Sequence, residues 1–335
     1  MTPTLVPATP ASIRDAAARL RAGELVAFPT ETVYGLGAHA LDADAVTRIF
    51  AAKGRPAWNP VIVHVADVAQ ARPLVREWPP AAARLAATCW PGPVTLVLPR
   101  SAAVPDVVTG GADTVAVRVP DHPVALALLR EAGVPIAAPS ANRFTQLSPT
   151  RAEHVVAALG DRVGLILDGG PCTVGIESTV VDCTTPTPTI LRAGLLDAET
   201  LSTRLGAPVA MAAPRMVADA TVRPSPGLVE RHYAPRADVW LVDAASRTDA
   251  ERALAERLAS TTGLRIAAIR RGDGWVPAQA EPVLTLPDDP AGFARGLYAA
   301  LHTLDEAGCD VVVIDEPPAR GAWAGVHDRL TRATR

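Results

Sequence analysis

The residue types that can carry chemistry in this 335-residue chain are concentrated on short segments that follow apolar runs. One of them, PTETVYGLG at 29–37, places the hydroxyls of Thr30 and Thr32 beside Glu31, and its glycines permit close backbone approach. Open α/β sheets bind ligands at loops outside their strand ends. The segment therefore predicts part of a binding site, and a tight turn with capping hydroxyls is the alternative interpretation.

A second segment, KGRPAWNP at 53–60, brings two cations together. Lys53 is the only lysine among 32 basic residues, which favours a site that needs a compact ammonium rather than a planar guanidinium. Lys53 and Arg55, beside Asn59, have the charge to grip a triphosphate, and both are expected to be exposed to the site. The chain has no Walker A sequence, so a nucleotide would need a different cradle. The alternative is compositional chance at a helix C-terminus, where the dipole favours cations.

Two charged or titratable residues lie within apolar runs. His64 in VIVHV is either a core histidine or a ligand contact. Arg118 in VAVRVP needs a carboxylate partner, because a buried unpaired arginine is costly. That partner is either an internal Asp or Glu or the carboxylate of a bound amino acid, and the sequence leaves both open.

Four further segments carry polar residues: PSAN at 139–142, which follows an apolar predicted strand, LSPT at 147–150 after it, and the polar loops GIESTVVD at 175–182 and LRAG at 191–194. Ser148 has the alternative interpretation of an ordinary helix cap. The spacing Gly35 to Ala40 matches G-x-G-x-x-A, but no helix is predicted there and no acidic residue follows about 20 positions on. A dinucleotide site is therefore rejected.

The hydrophobic pattern predicts two domains. Strands interleaved with helices over residues 1–206 predict an α/β domain with a mixed sheet, since several strands follow one another without a helix. The proline-punctuated stretch 207–236 is predicted to be a linker, and 237–335 a smaller Rossmann-like α/β domain. The strands predicted in the first domain are 25–28, 60–65, 94–98, 114–119, 134–138, 164–167, 178–182 and 189–191. Its predicted helices run from Pro10 to just before Gly23, from the Asp42 cap to Ala52, and over 80–89, 123–132 and 150–159.

Composition excludes several classes of protein. Net charge is −3 with no Lys/Arg tail, which argues against dedicated nucleic-acid binding and predicts that any direct nucleic-acid binding is weak or absent. The four cysteines are widely spaced, so neither a zinc site nor a disulfide framework is predicted. The first residues lack signal-peptide character and apolar runs are short, so the chain is expected to be cytoplasmic, without membrane association.

Taken in order, these segments resemble the threonylcarbamoyl-adenylate synthase family with the YrdC-like fold. The segments that carry the resemblance are PTETVYGLG, KGRPxxNP with VIVH, WPGPVTLVL, VAVRVP, PSAN…SPT, LDGG…GIESTVVD and LRAG. SPGLVERHYAP at 225–235 and the α/β module after it resemble the long form of that family, which has an extra C-terminal domain. One departure is Phe144-Thr145, where the family commonly has Ser-Gly.

The resemblance implies a site residue by residue. The residues expected around L-threonine are Thr32, His64, Arg118, Ser140 and Ser178. The residues expected to line the ATP site are Lys53, Arg55, Asn59, Thr114, Asn142, Ser148 and Arg192, with Lys53 and Arg55 also the catalytic cations. The linker is expected to lie over that site and to contribute His232 or Tyr233.

The resemblance also implies a reaction. L-threonine, bicarbonate and ATP would give threonylcarbamoyl-AMP and pyrophosphate, for a downstream transferase that modifies tRNA to threonylcarbamoyladenosine. Mg²⁺ is expected to ride on the nucleotide rather than in a carboxylate cage. The competing hypotheses are a non-enzymatic RNA-binding module on the same fold and a transferase that uses an acyl or carbamoyl phosphate.

Overall fold

The computed structural model describes residues 4–212 and 234–334. Their strands are β1 Thr4–Pro7, β2 Val26–Phe28, β3 Gly35–His39, β4 Ile62–His64, β5 Val94–Pro99, β6 Thr114–Arg118, β7 Ile136–Ala137, β8 Leu165–Asp168, β9 Thr179–Asp182, β10 Thr189–Arg192, β11 Ala210–Met211, β12 Asp238–Val242, β13 Ile266–Arg271, β14 Val283–Leu286 and β15 Val311–Asp315. Their helices are α1 Pro10–Arg21, α2 Ala43–Lys53, α3 Val68–Ala71, α4 Pro80–Cys89, α5 Asp106–Thr109, α6 Pro123–Ala132, α7 Ala152–Leu159, α8 Ala198–Leu205, α9 Arg247–Ser260, α10 Pro290–Glu306 and α11 Ala324–Ala333. Short 3₁₀ turns cover Arg72–Leu74, Gly160–Arg162 and Gly321–Trp323.

The first α/β unit is built on one mixed sheet with the order β1-β8-β2-β3-β7-β4-β6-β5-β9-β10-β11. Parallel pairs such as β4 with β6 and β5 with β9 alternate with antiparallel pairs such as β2 with β3 and β5 with β6. The prediction of a mixed sheet is confirmed. Two of the antiparallel pairs, β2 with β3 and β9 with β10, join strands that follow one another without a helix between them, whereas β5 and β6 are separated by the short helix α5.

Both faces of this sheet are buried. In β2, Val26 and Phe28 pack with α1 and α6, whereas Ala27 belongs to the cluster on the other face with α2 and α4. In β4, Val63 faces that second cluster, so its neighbours Ile62 and His64 face the side of α1 and α6. Alternation along short strands therefore decides which side chains reach the face where the cleft forms.

The helix boundaries follow local capping chemistry. Thr9 and Ser12 form a reciprocal capping box at the start of α1, ahead of Pro10 in the first turn. Asp42 accepts hydrogen bonds from two backbone amides at the start of α2, and Gly54 ends α2 in the left-handed conformation. Both helices match the ranges predicted from sequence, and α2 delivers Lys53 to its C-terminus.

The second α/β unit has a four-stranded parallel sheet with the order β12-β15-β13-β14. Helices α10 and α11 bury apolar faces in its main core, and α9 packs in a separate cluster with Val242, Ile266 and Val311. The expectation of a smaller, Rossmann-like unit in the C-terminal part is met by this parallel sheet.

The structure differs from the sequence predictions in several places, and the short elements β1, α3 and α5 are among those that were not predicted. The end of the segment 29–37, which was predicted to be a loop, begins the interior strand β3, because its glycines allow neighbouring side chains to approach: a β-carbon on Gly37 would lie 2.9 Å from both Ile136 Cγ2 and Phe28 Cε1. The helix Ala198–Leu205 was not predicted. The short strand Ala210–Met211 falls inside the predicted linker 207–236, and most of that linker lies outside the described residues.

Across the described ranges 4–212 and 234–334, no helix is both long and apolar enough to span a bilayer.

We expect Thr145→Gly to raise the free energy of unfolding by about 1 kcal/mol, because Thr145 has φ 70°, a left-handed conformation that a β-branched side chain adopts at a cost. Thr187 is exposed and does not have a positive φ, so it serves as the control. Thr187→Gly should lower the free energy of unfolding, because glycine increases the conformational entropy of the unfolded chain. Urea unfolding of both variants checks this. Equal effects of the two substitutions would contradict the strain at Thr145.

Candidate active site

A cleft opens on the α1/α6 face of the large sheet, where loops leave β2, β7 and the strands around them. β4 and β6 run parallel with His64 opposite Arg118, so both side chains reach the same end of the cleft. The cleft and the open solvent at its mouth together enclose about 540 Å³, of which about 50 Å³ is comparable with the volume of a closed cavity. Its lining residues are Thr30, Thr32, Val33, Gly35, Arg55, Val61, Ile62, His64, Arg118, Ala138, Pro139, Ser140, Glu177, Ser178 and Arg192.

Arg118 is buried and has an internal carboxylate partner. Its Nη2 lies 2.6 Å from Glu31 Oε1, its Nη1 donates to Thr32 Oγ1 at 2.9 Å, and its Nε donates to Gly92 O at 3.2 Å. Of the two partners that the sequence left open, the structure contains the internal one. The ion pair fixes the guanidinium and the Thr32 hydroxyl relative to each other before any ligand binds.

The opposite wall is formed by Ser178 and Arg192. Arg192 Nη2 donates to Ser178 O at 3.0 Å and to Ser178 Oγ at 3.2 Å, while Ser178 Oγ lies 2.8 Å from Thr95 Oγ1. β9 and β10 are antiparallel neighbours, which brings the start of one strand beside the end of the other. The result is a second buried cation whose hydrogen bonds hold a hydroxyl at the cleft.

Lys53 is not exposed to the site, contrary to the sequence expectation. It is 2% exposed, and its Nζ donates to Ser140 O at 2.6 Å and to Asn142 O. Burial, with the neighbouring charge of Arg55, lowers the pKa of the Lys53 amine well below its ordinary value. The Lys53 amine therefore ties the PSAN loop to the end of α2 in this structure.

Arg55 is 7% exposed, so it too departs from the expectation of exposure, although its side chain does line the cleft. Its Nη2 donates to Pro60 O at 2.8 Å and its guanidinium lies 5.9 Å from the centre of the Phe144 ring. Asn59 beside it is fully buried, and neither side-chain atom has a hydrogen-bond partner among the described residues. An orphaned buried amide is costly, although Asn59 does not itself line the cleft.

His64 is buried at the base of the cleft, edge-on to Phe28 with ring centres 6.3 Å apart. Burial and the neighbouring Arg118 lower the pKa of His64 to about 3. The imidazole is therefore neutral at physiological pH. Its Nδ1 has no hydrogen-bond partner within the described ranges, so the histidine belongs to the core and also faces the cleft.

The structure brings together most of the residues singled out from sequence. The predicted residues that line the cleft are Thr32, Arg55, His64, Arg118, Ser140, Ser178 and Arg192. Those buried around it are Lys53, Asn59, Asn142 and Ser148. Thr114 lies apart, at the start of β6 in a small cavity with Pro60 and Thr109, and His232 and Tyr233 lie outside the described residues.

Glu177 is the cleft residue that sequence reasoning missed. It is 7% exposed, and its Oε1 accepts a hydrogen bond from Ser148 Oγ at 2.5 Å. Its Oε2 accepts from Arg329 Nε at 2.6 Å and from Tyr298 OH at 3.2 Å. The sequence signal for Glu177 was a charged residue between Ile176 and a buried strand. Its cationic partner, Arg329, is 152 positions away in the chain, so the local pattern does not reveal the ion pair.

The donor set does not suit a resident metal ion. The carboxylates of Glu31 and Glu177 already pair with Arg118 and Arg329. The described ranges contain no group of three or more His, Cys, Asp or Glu arranged to hold a metal. A cation at this cleft would have to bring its own oxygen ligands.

Comparison with known proteins agrees with this arrangement. Residues 18–194 match the family Sua5_yciO_yrdC, described as "Telomere recombination", and residues 196–334 match the C-terminal domain of threonylcarbamoyl-AMP synthase. The chain is 44% identical over 324 residues to the threonylcarbamoyl-AMP synthase of Pyrococcus abyssi, covering 96% of this chain and 94% of that protein. The chain belongs to the threonylcarbamoyl-AMP synthase family.

Two further matches cover both units of this chain. The threonylcarbamoyl-AMP synthase of Bacillus subtilis is 41% identical over 323 residues, covering 96% of this chain and 92% of that protein. The crystal structure of Pyrococcus abyssi Sua5 complexed with L-threonine superposes with a TM-score of 0.89, covering 99% of this chain and 97% of that one at 41% identity. The prediction of a YrdC-like unit followed by a C-terminal domain is confirmed.

We expect the free energy of unfolding of the wild type to fall by about 2 kcal/mol relative to that of His64→Gln when the pH is lowered from 7 to 5. The folded protein holds the pKa of His64 at about 3, below its ordinary 6.5, so this contribution is present above pH 6.5 and is lost as pH falls towards 3. Urea unfolding at the two pH values measures it. An advantage that stays constant would mean that His64 titrates normally in the folded state.

Proposed function

We propose that this protein synthesises threonylcarbamoyl-AMP and pyrophosphate from L-threonine, bicarbonate and ATP. The observation that carries the proposal is a cleft with a buried arginine and a hydroxyl on each of two walls. Arg118 and Thr32 form one wall, and Arg192 and Ser178 form the other. Family membership supplies the reaction, and the cleft supplies the groups that such a reaction needs.

The reaction proceeds in two stages. The amine of threonine attacks bicarbonate carbon and expels water, which gives a carbamate. A carbamate oxygen then attacks the α-phosphorus of ATP in line, the bond to the bridging oxygen breaks, and pyrophosphate leaves. No side chain forms a covalent intermediate, so the protein contributes positioning and stabilisation of charge.

L-threonine occupies the wall built around Arg118. The Thr32 hydroxyl, His64, Ser140 and Ser178 surround it, and Arg118 offers the positive charge for its carboxylate. Support comes from the Arg118–Glu31 pair, which holds the guanidinium rigid, and from the neutral imidazole of His64, which presents an apolar surface to the methyl group.

ATP occupies the side of Arg55, Asn59 and Arg192, with Asn142 and Ser148 behind them. The buried amide of Asn59 supports this placement, because a ligand there would satisfy two polar atoms that are otherwise unpartnered in the described chain. Lys53 acts with Arg55 as the catalytic cation pair once phosphate offsets the cost of its charge. Thr114, His232 and Tyr233 remain predictions from the resemblance.

Magnesium enters on the triphosphate, which provides the oxygen ligands that the ion-paired carboxylates do not. The product passes to a tRNA-modifying transferase in the cytoplasm, without a strong tRNA site on this chain. Residues 1–206 form the catalytic domain and 237–335 the C-terminal domain, joined by the segment 207–236. Ala234 N donates to Thr145 O at 3.1 Å, so the chain rejoins the structure beside the PSAN loop, as a segment near the nucleotide requires.

Release of pyrophosphate from ATP should require both threonine and bicarbonate, and we expect kcat/KM to be about 10- to 150-fold higher with threonine than with serine, because one methyl group discriminates by about 1–3 kcal/mol. A coupled pyrophosphate assay with each substrate omitted measures both effects. Release without threonine, or turnover with a carbamoyl phosphate in place of ATP, would eliminate the proposed reaction.

Lys53→Arg should lower kcat/KM for ATP by tenfold or more, because a guanidinium does not fit where one ammonium bonds two carbonyl oxygens, Ser140 O and Asn142 O. Arg143→Lys is the matched control, since Arg143 is exposed on the same loop. Pyrophosphate assays and urea unfolding of both variants separate activity from folding. Full activity of Lys53→Arg would show that the lone lysine has no special role.

A further inference from the structure

The loops that form the cleft are also part of the core of the C-terminal unit. Val33 of the β2–β3 loop, Leu147 of the LSPT segment and Ile176 of the GIES segment belong to the same buried cluster as Phe293 and Leu297 of α10. Next to Val33 and Ile176 stand the cleft-lining residues Thr32 and Glu177, and next to Leu147 stands Ser148, which is buried behind the cleft and donates to Glu177. Each loop therefore anchors an apolar side chain in the C-terminal core directly beside a polar residue of the site.

The two units approach at backbone distance beside these loops. A β-carbon on Gly175 would lie 2.5 Å from Arg295 Cα of α10, and one on Gly325 of α11 would overlap the carbonyl of Gly194. Such approach leaves no space for the loops to shift relative to α10 and α11. The positions of α10 and α11 therefore constrain the positions of the cleft loops.

Arg329 of α11 joins two of these loops directly. Its side chain is completely buried, and its Nε donates to Glu177 Oε2 at 2.6 Å. Its Nη1 donates to Ala193 O at 2.9 Å, next to Arg192, and its Nη2 donates to Glu177 O at 3.4 Å, next to Ser178. One planar guanidinium thus holds the backbone on both sides of the Ser178–Arg192 pair.

Glu177 passes this restraint to a third segment. Its Oε1 accepts from Ser148 Oγ at 2.5 Å, while His302 Nε2 of α10 lies 3.1 Å from Ser148 O. Both the hydroxyl and the carbonyl of Ser148 are therefore fixed by groups that depend on the C-terminal unit. Tyr298 OH also donates to Glu177 Oε2, at 3.2 Å.

We propose that Arg329 is a positioning residue for nucleotide binding. It holds Ser148 through the Glu177 carboxylate, and it holds Arg192 through the carbonyl oxygens of Glu177 and Ala193, so that both residues keep the geometry that ATP requires. The inference rests on the proposed function, and it assigns the C-terminal unit a part in the cleft. Arg329 does not line the cleft itself, so its effect is indirect.

Three full-length variants test the proposal. Arg329→Met removes the guanidinium and leaves Glu177 buried without its pair, which destabilises the fold. The double variant Arg329→Met with Glu177→Gln removes both charges of the Arg329–Glu177 pair, and replacing both partners of a buried pair is often neutral for stability. Asp328, which also pairs with Arg329 at 2.5 Å, keeps Arg332 as its partner in both variants. Arg247→Met is the control, because Arg247 pairs at 3.2 Å with the buried Asp315 within the C-terminal unit, away from the cleft loops.

The measurements are KM and kcat for ATP in the pyrophosphate assay, the Kd of ATP alone by calorimetry, and the urea midpoint. We expect Arg329→Met to raise KM and Kd roughly ten- to a hundredfold, with a smaller change in kcat. The double variant should regain the wild-type midpoint while KM and Kd stay raised. Arg247→Met should lower the midpoint and leave KM and Kd unchanged.

The proposal would be overturned if the double variant regained the wild-type KM and Kd for ATP along with the wild-type urea midpoint. It would also be overturned if Arg329→Met bound ATP with the wild-type Kd. If wild type binds ATP but releases no pyrophosphate with threonine, the proposed reaction fails, and the Kd series still decides the role of Arg329. If wild type does not bind ATP, both fail.

Discussion

The burial of cations around the cleft is the constraint on which the rest of this structure depends. Arg118, Lys53, Arg192 and Arg329 are each at most 5% exposed, and a buried cation costs several kcal/mol unless hydrogen bonds and counter-charges offset it. Each therefore acquires fixed acceptors: a carboxylate for Arg118 and Arg329, and carbonyl oxygens for Lys53 and Arg192. Because those acceptors lie on the cleft loops, solvation of the cations determines the conformation of the loops.

This constraint explains why the cleft is shared between two units of the chain. Glu177 lies on a loop of the first unit, and the cation that neutralises it, Arg329, comes from the second. Burial raises the pKa of the Glu177 carboxyl, but Arg329 and Arg192 more than offset this and hold it below its ordinary value. Ionised Glu177 is a hydrogen-bond acceptor only, so the Ser148 hydroxyl has to donate to it, which fixes the rotamer of that hydroxyl.

Sequence reasoning was strongest where one segment carries its own signal. Helices such as Pro80–Cys89 and Pro123–Ala132 begin at a proline and were predicted with their observed ends, and Arg118 was recognised as a buried cation that needs a carboxylate. It was weakest where a partner far along the chain decides the outcome. Gly35–His39 is a strand because Ile136 and Phe28 approach it, and neither contact is visible in the local pattern GLGAH. The burial of Lys53 depends on carbonyls 87 and 89 positions away.

The same long-range dependence bears on how such a site can work. An attack of a carbamate oxygen on phosphorus needs no protein nucleophile, so its rate depends on how well the two reactants are aligned. Alignment is lost if the cationic walls move, and the wall of Ser178 and Arg192 is held by backbone carbonyls that Arg329 binds from behind. A second unit packed against the loops of such a site helps to keep its cationic walls in place. The apolar residues Val33, Leu147 and Ile176 are therefore as much a part of its chemistry as the charged residues beside them, because they anchor the loops from which those residues extend.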